Sequence, residues 1–177
     1  MKILVTGAAG FIAFHLIKNL VKSGHEVTGI DNCKTGKSSH LMQIRLSKLQ
    51  HKNFTFNKLD INCLKQINKS FDLVINLAAQ TGVRYHPDEI NKYIDSNING
   101  FISVCDFCEE MGIKNVIYAS SSSVYDDCQL KPFEEDLSKI LPKSLYGLTK
   151  LFNEQYAKKV HHKTNISFIG LRFFTVY

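Results

Sequence analysis

The chain has 177 residues, 44% of them hydrophobic and 21% charged, a globular balance that predicts one domain with a single core and excludes a disordered chain. No apolar run approaches the roughly 18 residues of a membrane span, and Met1-Lys2 leads straight into an apolar run, so neither a membrane partner nor a signal peptide is expected. The net charge of +6 suits an anionic ligand, but the lysines are scattered and no basic run is interleaved with aromatics, which argues against nucleic acid.

Ile3-Leu4-Val5 predicts a first strand, and Thr6-Gly7-Ala8-Ala9-Gly10-Phe11-Ile12-Ala13 predicts a tight glycine turn after it. Apolar residues at 13, 16, 17, 20 and 21 then follow the spacing of one helix face. A helix that starts there aims its free N–H groups and the positive end of its dipole at the turn. Glycines let a phosphate come close, so strand, turn and helix together predict a pyrophosphate cradle. Ala13 stands at the third glycine position, where helix packs on strand and a methyl is tolerated. Glu26-Val27-Thr28-Gly29-Ile30 predicts a second strand, ending in Asp31-Asn32. A carboxylate about 20 residues past the turn can accept from the adenosine ribose hydroxyls and would repel a 2′-phosphate, favouring NAD over NADP. In isolation, a turn aspartate would explain Asp31 as well. Lys34 and Lys37 soften the preference.

A surface helix is expected over 41–49, a third strand over Phe54-Thr55-Phe56 closed by Asp60-Ile61, and a short helix from Cys63 to Ile67. Phe71 to Ala79 is almost continuously apolar, the pattern of a strand buried on both faces of a parallel sheet. It ends in small residues, where a cofactor can lie near the backbone. Gln80 to Pro87 reads as a polar loop holding Arg84. A long helix is expected from about Asp88 to Met111, with Ile94, Ile98, Phe101, Cys105 and Cys108 as one apolar seam. Cys105 and Cys108 extend that packing face, and no second pair stands at metal-ligand spacing, so no metal is expected. The five cysteines, an odd number, read as reduced thiols of a cytoplasmic protein. Asn97, one residue off the seam, needs a buried partner or a role. Asn115 to Ala119 predicts a fifth strand running into Ser120-Ser121-Ser122-Ser123-Val124-Tyr125. A polar loop to Pro142, a helix from near Ser144 and a sixth strand from Lys163 to Leu171 complete the pattern. Strands alternating with helices predict a doubly wound parallel α/β sheet, with helices on both faces and the ligand at the carboxyl ends of the strands.

Tyr146-Gly147-Leu148-Thr149-Lys150 carries the chemistry. At i and i+4 on a helix, phenol and ammonium are neighbours. A fixed positive charge lowers a tyrosine pKa from its reference near 10, which suits a general base toward a hydroxyl. A serine on a neighbouring strand end could hold the same substrate oxygen. Alone, either motif is common by chance; with the glycine turn and Asp31 in order, they describe one site.

On these residues the chain resembles the extended short-chain dehydrogenases/reductases, the family of NAD-dependent nucleotide-sugar epimerases and dehydratases with a Rossmann-type sheet. The resemblance implies Ser121, Tyr146 and Lys150 as the catalytic set, with Lys150 on the nicotinamide ribose and Phe173 near the nicotinamide. Cofactor contacts are implied for Gly7, Ala9, Gly10, Phe11 and Ile12 at the turn, and for Asp31, Asn32, Asp60 and Ile61 on the adenosine side. Leu77, Ala78, Ala79, Asn97 and Ala119 are implied along the sheet. Ala79 to Tyr85, Ser120 to Tyr125, Lys131-Pro132-Phe133 and Leu171 to Tyr177 are most similar to UDP-glucuronate 4-epimerases, which work through a 4-keto intermediate. By that similarity Arg84, Ser121, Ser122, Ser123, Tyr146 and Thr175 would meet the sugar. Relatives that dehydrate or decarboxylate tend to carry an acid two residues before the serine-strand tyrosine; here Ser123 stands there. Alternatives are a UDP-glucose 4-epimerase or a non-catalytic NAD-binding module. The family usually has glycine after that tyrosine, so Asp126 or Asp127 is expected at positive φ. Family members run to roughly twice this length, so residues 1–177 read as the NAD-binding domain, with a substrate-binding half expected beyond it. The piece alone is expected to bind NAD weakly and to be inactive, and the full-length form to be a homodimer.

Overall fold

The computed structural model describes residues 1–34, 39–82, 87–126, 132–135 and 140–177. Its strands are β1 (Lys2–Thr6), β2 (Glu26–Asp31), β3 (Phe54–Lys58), β4 (Leu73–Asn76), β5 (Asn115–Ser121) and β6 (Ser167–Phe173). All neighbours pair in parallel, in the order β3-β2-β1-β4-β5-β6. The strand order reverses between β1 and β4, and that reversal opens a crevice at their carboxyl ends.

Period-two alternation feeds both faces of the sheet. Ile3, Val5 and Ile75 face one side with Ala13, Ile17 and Val21 of α1 (Phe11–Lys22), while Leu4, Val74, Val116 and Tyr118 face the other. There they meet Phe101, Val104, Cys105 and Cys108 of α4 (Gly100–Glu110) and Ala157 of α5 (Leu145–Thr164). Both cysteines of the spaced pair are buried free thiols, as expected of packing residues. Burial pushes both thiols up, Cys108 to about 12, so they behave as small hydrophobes. The surface helix α2 runs Ser39–Ser47 and turns Met42 inward.

Four expectations shift. β4 keeps only the centre of the predicted apolar run. Thr164 ends α5, and the sixth strand starts at Ser167 instead of Lys163. Asp126 sits at φ −43° and needs no left-handed backbone; Asp127 lies outside the described residues. The long helix is interrupted: α3 (Ile90–Tyr93) passes into a π turn (Ile94–Asn99) before α4. A π turn spends extra residues on one revolution, so the seam before it rotates. The inward positions are Tyr93, Asn97 and Phe101, while Ile94 is exposed and Ile98 half-buried.

Candidate active site

The glycine turn is set by space. Gly7 has φ +70°, and a β-carbon there would lie 2.8 Å from the Ala78 nitrogen. The turn therefore lies flat against the exit of β4. Thr6 locks it there: its hydroxyl donates to Asn76 Oδ1 at 2.5 Å and accepts from the Ala78 N–H at 3.1 Å. Gly29 in β2 makes room on the other side, since a β-carbon would meet the Ala8 methyl at 2.7 Å. The Gly10 N–H donates back to Gly7 O at 2.9 Å, and the first bond of α1 runs from Phe14 to Gly10. No side chain caps α1, so the Phe11 and Ile12 N–H groups face the crevice end without an intrahelical partner. Ala13, fully buried, sits in the helix–strand contact as expected.

Asp31 is aimed at the same turn. Its Oδ2 accepts from the Ala9 N–H at 3.1 Å and its Oδ1 from the Cys33 N–H at 2.8 Å, and Cys33 adopts φ +57° to reach it. Asn32 donates to Asp60 Oδ2 at 2.8 Å, and Asp60 caps the following 3-10 helix (Ile61–Gln66) through the Asn62 N–H. Burial alone would raise the Asp60 carboxyl, but hydrogen bonds from Asn32 and Asn62 and the Lys34 charge hold it below its ordinary value. Ile61 is buried beneath it.

Asn97 finds the partner it needs. Its amide accepts from the Gln80 N–H at 2.8 Å, donates to the Gln80 carbonyl at 3.0 Å, and donates to Thr149 Oγ1 at 3.0 Å. It thus pins the chain leaving half-buried Leu77, Ala78 and Ala79 to α5. Buried Tyr93 adds hydroxyl contacts to the Thr81 and Gly82 carbonyls, at 3.2 and 3.0 Å.

At the other end of the crevice, Ser121, Tyr146 and Lys150 come together. Ser144 caps α5 through the Gly147 N–H at 3.0 Å. A β-carbon on Gly147 would lie 2.6 Å from the Ser123 carbonyl, so glycine alone lets the helix start this close to the serine run. Lys150 is buried, donates to the Ala119 carbonyl at 2.8 Å, and sits 5.6 Å from the Tyr146 ring centroid. Burial lowers the Lys150 ammonium to about 8. Burial also raises the Tyr146 phenol, a hydrogen bond to Ser121 pulls it back, and Tyr93 pushes it further up. The lowering expected beside Lys150 is not what the phenol shows: its burial is the largest influence and raises it. Ser121 also accepts from the Ser123 N–H at 3.1 Å, and Ser122 and Ser123 are half-buried beside it.

Phe173 pairs with Ser121 in the β5–β6 register, and Thr175 is exposed just past the strand. Arg84 lies outside the described residues. Ser120 points the other way, donating to Glu154 Oε1 at 2.5 Å. Glu154 grips Arg172 through two bonds, at 2.9 and 2.8 Å, and Arg172 donates to the Tyr125 hydroxyl at 2.6 Å. This network fastens β5, α5 and β6 together. Glu154, like Asn76 and Tyr93, was not singled out from sequence, and Thr6, Ser120, Tyr125 and Arg172 were read only as parts of longer runs. The available signals were polar residues at strand ends and the Gly147 and Glu154 positions around Lys150.

A model of the NAD dependent epimerase/dehydratase family matches residues 3–177. Protein CapI of Staphylococcus aureus is 46% identical over 182 residues, covering 100% of this chain and 54% of that protein. UDP-glucuronate 4-epimerase 4 of Arabidopsis thaliana is 38% identical, over 99% of this chain and 41% of that protein. The crystal structure of UDP-glucuronic acid 4-epimerase from Bacillus cereus, in complex with UDP-glucuronic acid and NAD, matches with a TM-score of 0.92 at 36% identity. That match covers 100% of this chain and 57% of the other. The chain thus spans about half the length of these relatives.

Proposed function

The chain belongs to the NAD-dependent epimerase/dehydratase family, and on that premise we propose that it is the dinucleotide-binding part of a nucleotide-sugar 4-epimerase acting on UDP-glucuronate. The crevice fits NAD: Gly7 leaves no room for a β-carbon, α1 offers uncapped N–H groups, and Asp31 is held toward Ala9 by backbone donors. Gly7, Ala9, Gly10, Phe11 and Ile12 would hold its pyrophosphate, and Asp31, with Asn32 and Asp60 behind it, its adenosine ribose. When bound, NAD supplies a reversible hydride acceptor.

The observation that carries the reading is the meeting of Tyr146 with the buried Lys150 ammonium, 5.6 Å from its ring, beside Ser121 at the end of β5. Tyr146 takes the proton from the sugar O4, while Ser121 holds the same oxygen. Lys150, fixed on the Ala119 carbonyl, keeps a positive charge beside the phenol and stabilises the phenolate that accepts this proton. Loss of the O4 proton and the C4 hydride leaves a 4-keto sugar, whose planar C4 can be rebuilt with either configuration. Ser122 and Ser123 supply no carboxyl for elimination, which favours epimerisation over dehydration. Thr175 and the serine run are assigned to the sugar and its carboxylate, with Arg84 also on the sugar, and the grip on the uridine and phosphates to a domain outside residues 1–177. Without that domain, the 177-residue chain is assigned no turnover. A homodimer of the whole protein is part of the same proposal.

The test is a panel of UDP-sugars assayed by chromatography on the full-length protein. UDP-glucuronate should be converted fastest. Tyr146→Phe should cut turnover by about 10²-fold or more while leaving NAD binding unchanged. Near-normal turnover by that variant would remove Tyr146 from its role; faster conversion of UDP-glucose would move the substrate but keep the chemistry.

A further inference from the structure

The glycine turn is flanked by a cation that has no ion pair among the described residues. Arg45 projects from α2, half-buried, and donates from Nη1 to the Ala9 carbonyl at 3.3 Å, with its guanidinium 5.8 Å from the Phe11 ring centroid. Ala9 is the same residue whose N–H is held by Asp31. One residue of the turn is thus bracketed by a carboxylate at its N–H and a guanidinium at its carbonyl. Neither α1 nor α2 contains an aspartate or glutamate, so Arg45 meets no acid along its own helix or the one it packs beside. A guanidinium carries five donors in a rigid fork suited to phosphate, and this single carbonyl bond uses one of them. Of the other described cations of this rim, Lys34 acts on Asp60, and Lys58, the β3 register partner of Asp31, acts on Cys33.

We propose that Arg45 is a specificity-determining residue for the dinucleotide, poised to receive a 2′-phosphate and restrained from doing so by the Asp31 carboxylate. This rests on the reading of the crevice as a dinucleotide site. The ribose hydroxyl that distinguishes NAD from NADP falls, in that reading, to Asp31. A phosphate on that hydroxyl meets like charge from Asp31 and a bidentate donor from Arg45 at once. Removing the carboxylate alone therefore leaves a cation already placed at the turn.

The experiment is calorimetric titration of NAD and NADP into the full-length protein and three variants: Asp31→Asn, Arg45→Ala and the double substitution. Wild type should prefer NAD by at least tenfold. Asp31→Asn should bring NADP to within about threefold of NAD, and the double variant should lose at least tenfold of that NADP affinity with NAD nearly unchanged. Arg45→Lys in the Asp31→Asn background should recover part of the NADP binding, which a guanidinium that only covers the Phe11 ring would not do. Equal NADP affinity with and without Arg45 in the Asp31→Asn background overturns the proposal while leaving the dinucleotide site standing. Should Asp31→Asn not fold, Asp31→Ser serves the same cycle. Binding of neither dinucleotide by wild type overturns the site itself and Arg45 with it.

Discussion

The two ends of the crevice are built from different materials. At the β1–β2 end the site is backbone: a glycine turn, uncapped N–H groups, and one carboxylate positioned by two other N–H groups. At the β5–β6 end it is side chain: a buried lysine, a desolvated phenol, and behind them the Glu154–Arg172 pair with Ser120 and Tyr125. Backbone geometry is set largely by local sequence, so that end is most vulnerable at its glycines and at the Thr6 and Asp31 side chains that hold the turn. A side-chain site depends on charges held out of water, and each is expensive to leave without its partner.

The largest expected break is therefore at the charged end. Glu154→Ala leaves Arg172 and Ser120 without their acceptor and should cost about 3 kcal/mol in urea unfolding. Replacing both charges, as in Glu154→Leu with Arg172→Met, should recover most of it. A double variant no more stable than Glu154→Ala would show that the pair was not the cause. Next comes Gly7→Ala, whose methyl must enter the Ala78 backbone from a left-handed conformation. About 2 kcal/mol of destabilisation is expected, with NAD binding lost even where the fold survives. Retained binding would mean that the turn can move away from β4.

The smallest effect is a slope, at most about 1.4 kcal/mol per pH unit. Lys150 is lowered from 10.5 to about 8 by burial. Below pH 8 both folded and unfolded chains carry the ammonium. Between pH 8 and 10.5 the unfolded chain holds more protons, so stability rises with pH across that window. The rise is on the order of 3 kcal/mol over its full width, and roughly half that between pH 8 and 9.3. Lys150→Met should flatten it relative to wild type; identical slopes would place the ammonium in contact with water.

The same division decided what could be read from the amino-acid order. Gly7, Gly10, Ala13 and Asp31 belong to one short strand–turn–helix–strand stretch, where residue type and backbone requirement coincide, and the sheet order follows from such units repeating. Tyr146 and Lys150 were legible because one helical turn joins them. Glu154 and Arg172 were not, since 18 residues and a strand boundary separate them and neither alone departs from an ordinary surface charge. Asn97 was placed off the seam because periodicity assumes an unbroken helix, and the π turn adds a residue that no apolar count registers. Phe71 and Leu77 were read into β4 because buried apolar residues flank a strand as readily as they extend it. The placement of Arg84 remains an expectation of resemblance.

The position of β1 has a consequence for how the molecule comes into being. It precedes the other five strands of the sheet in chain order and yet lies in the middle of that sheet, with β2 on one side and β4 on the other. Parallel neighbours cannot pair through a hairpin, so each new strand must be carried back over a face of the sheet before it adds. A nascent chain that has delivered β3 can complete only the β3-β2-β1 half, and the far edge of β1 stays open to water. The partners that close the glycine turn, Asn76 on Thr6 and Ala78 beneath Gly7, are encoded some seventy residues downstream. The phosphate cradle is thus written in the turn after β1 but cannot be finished until the ribosome has passed β4.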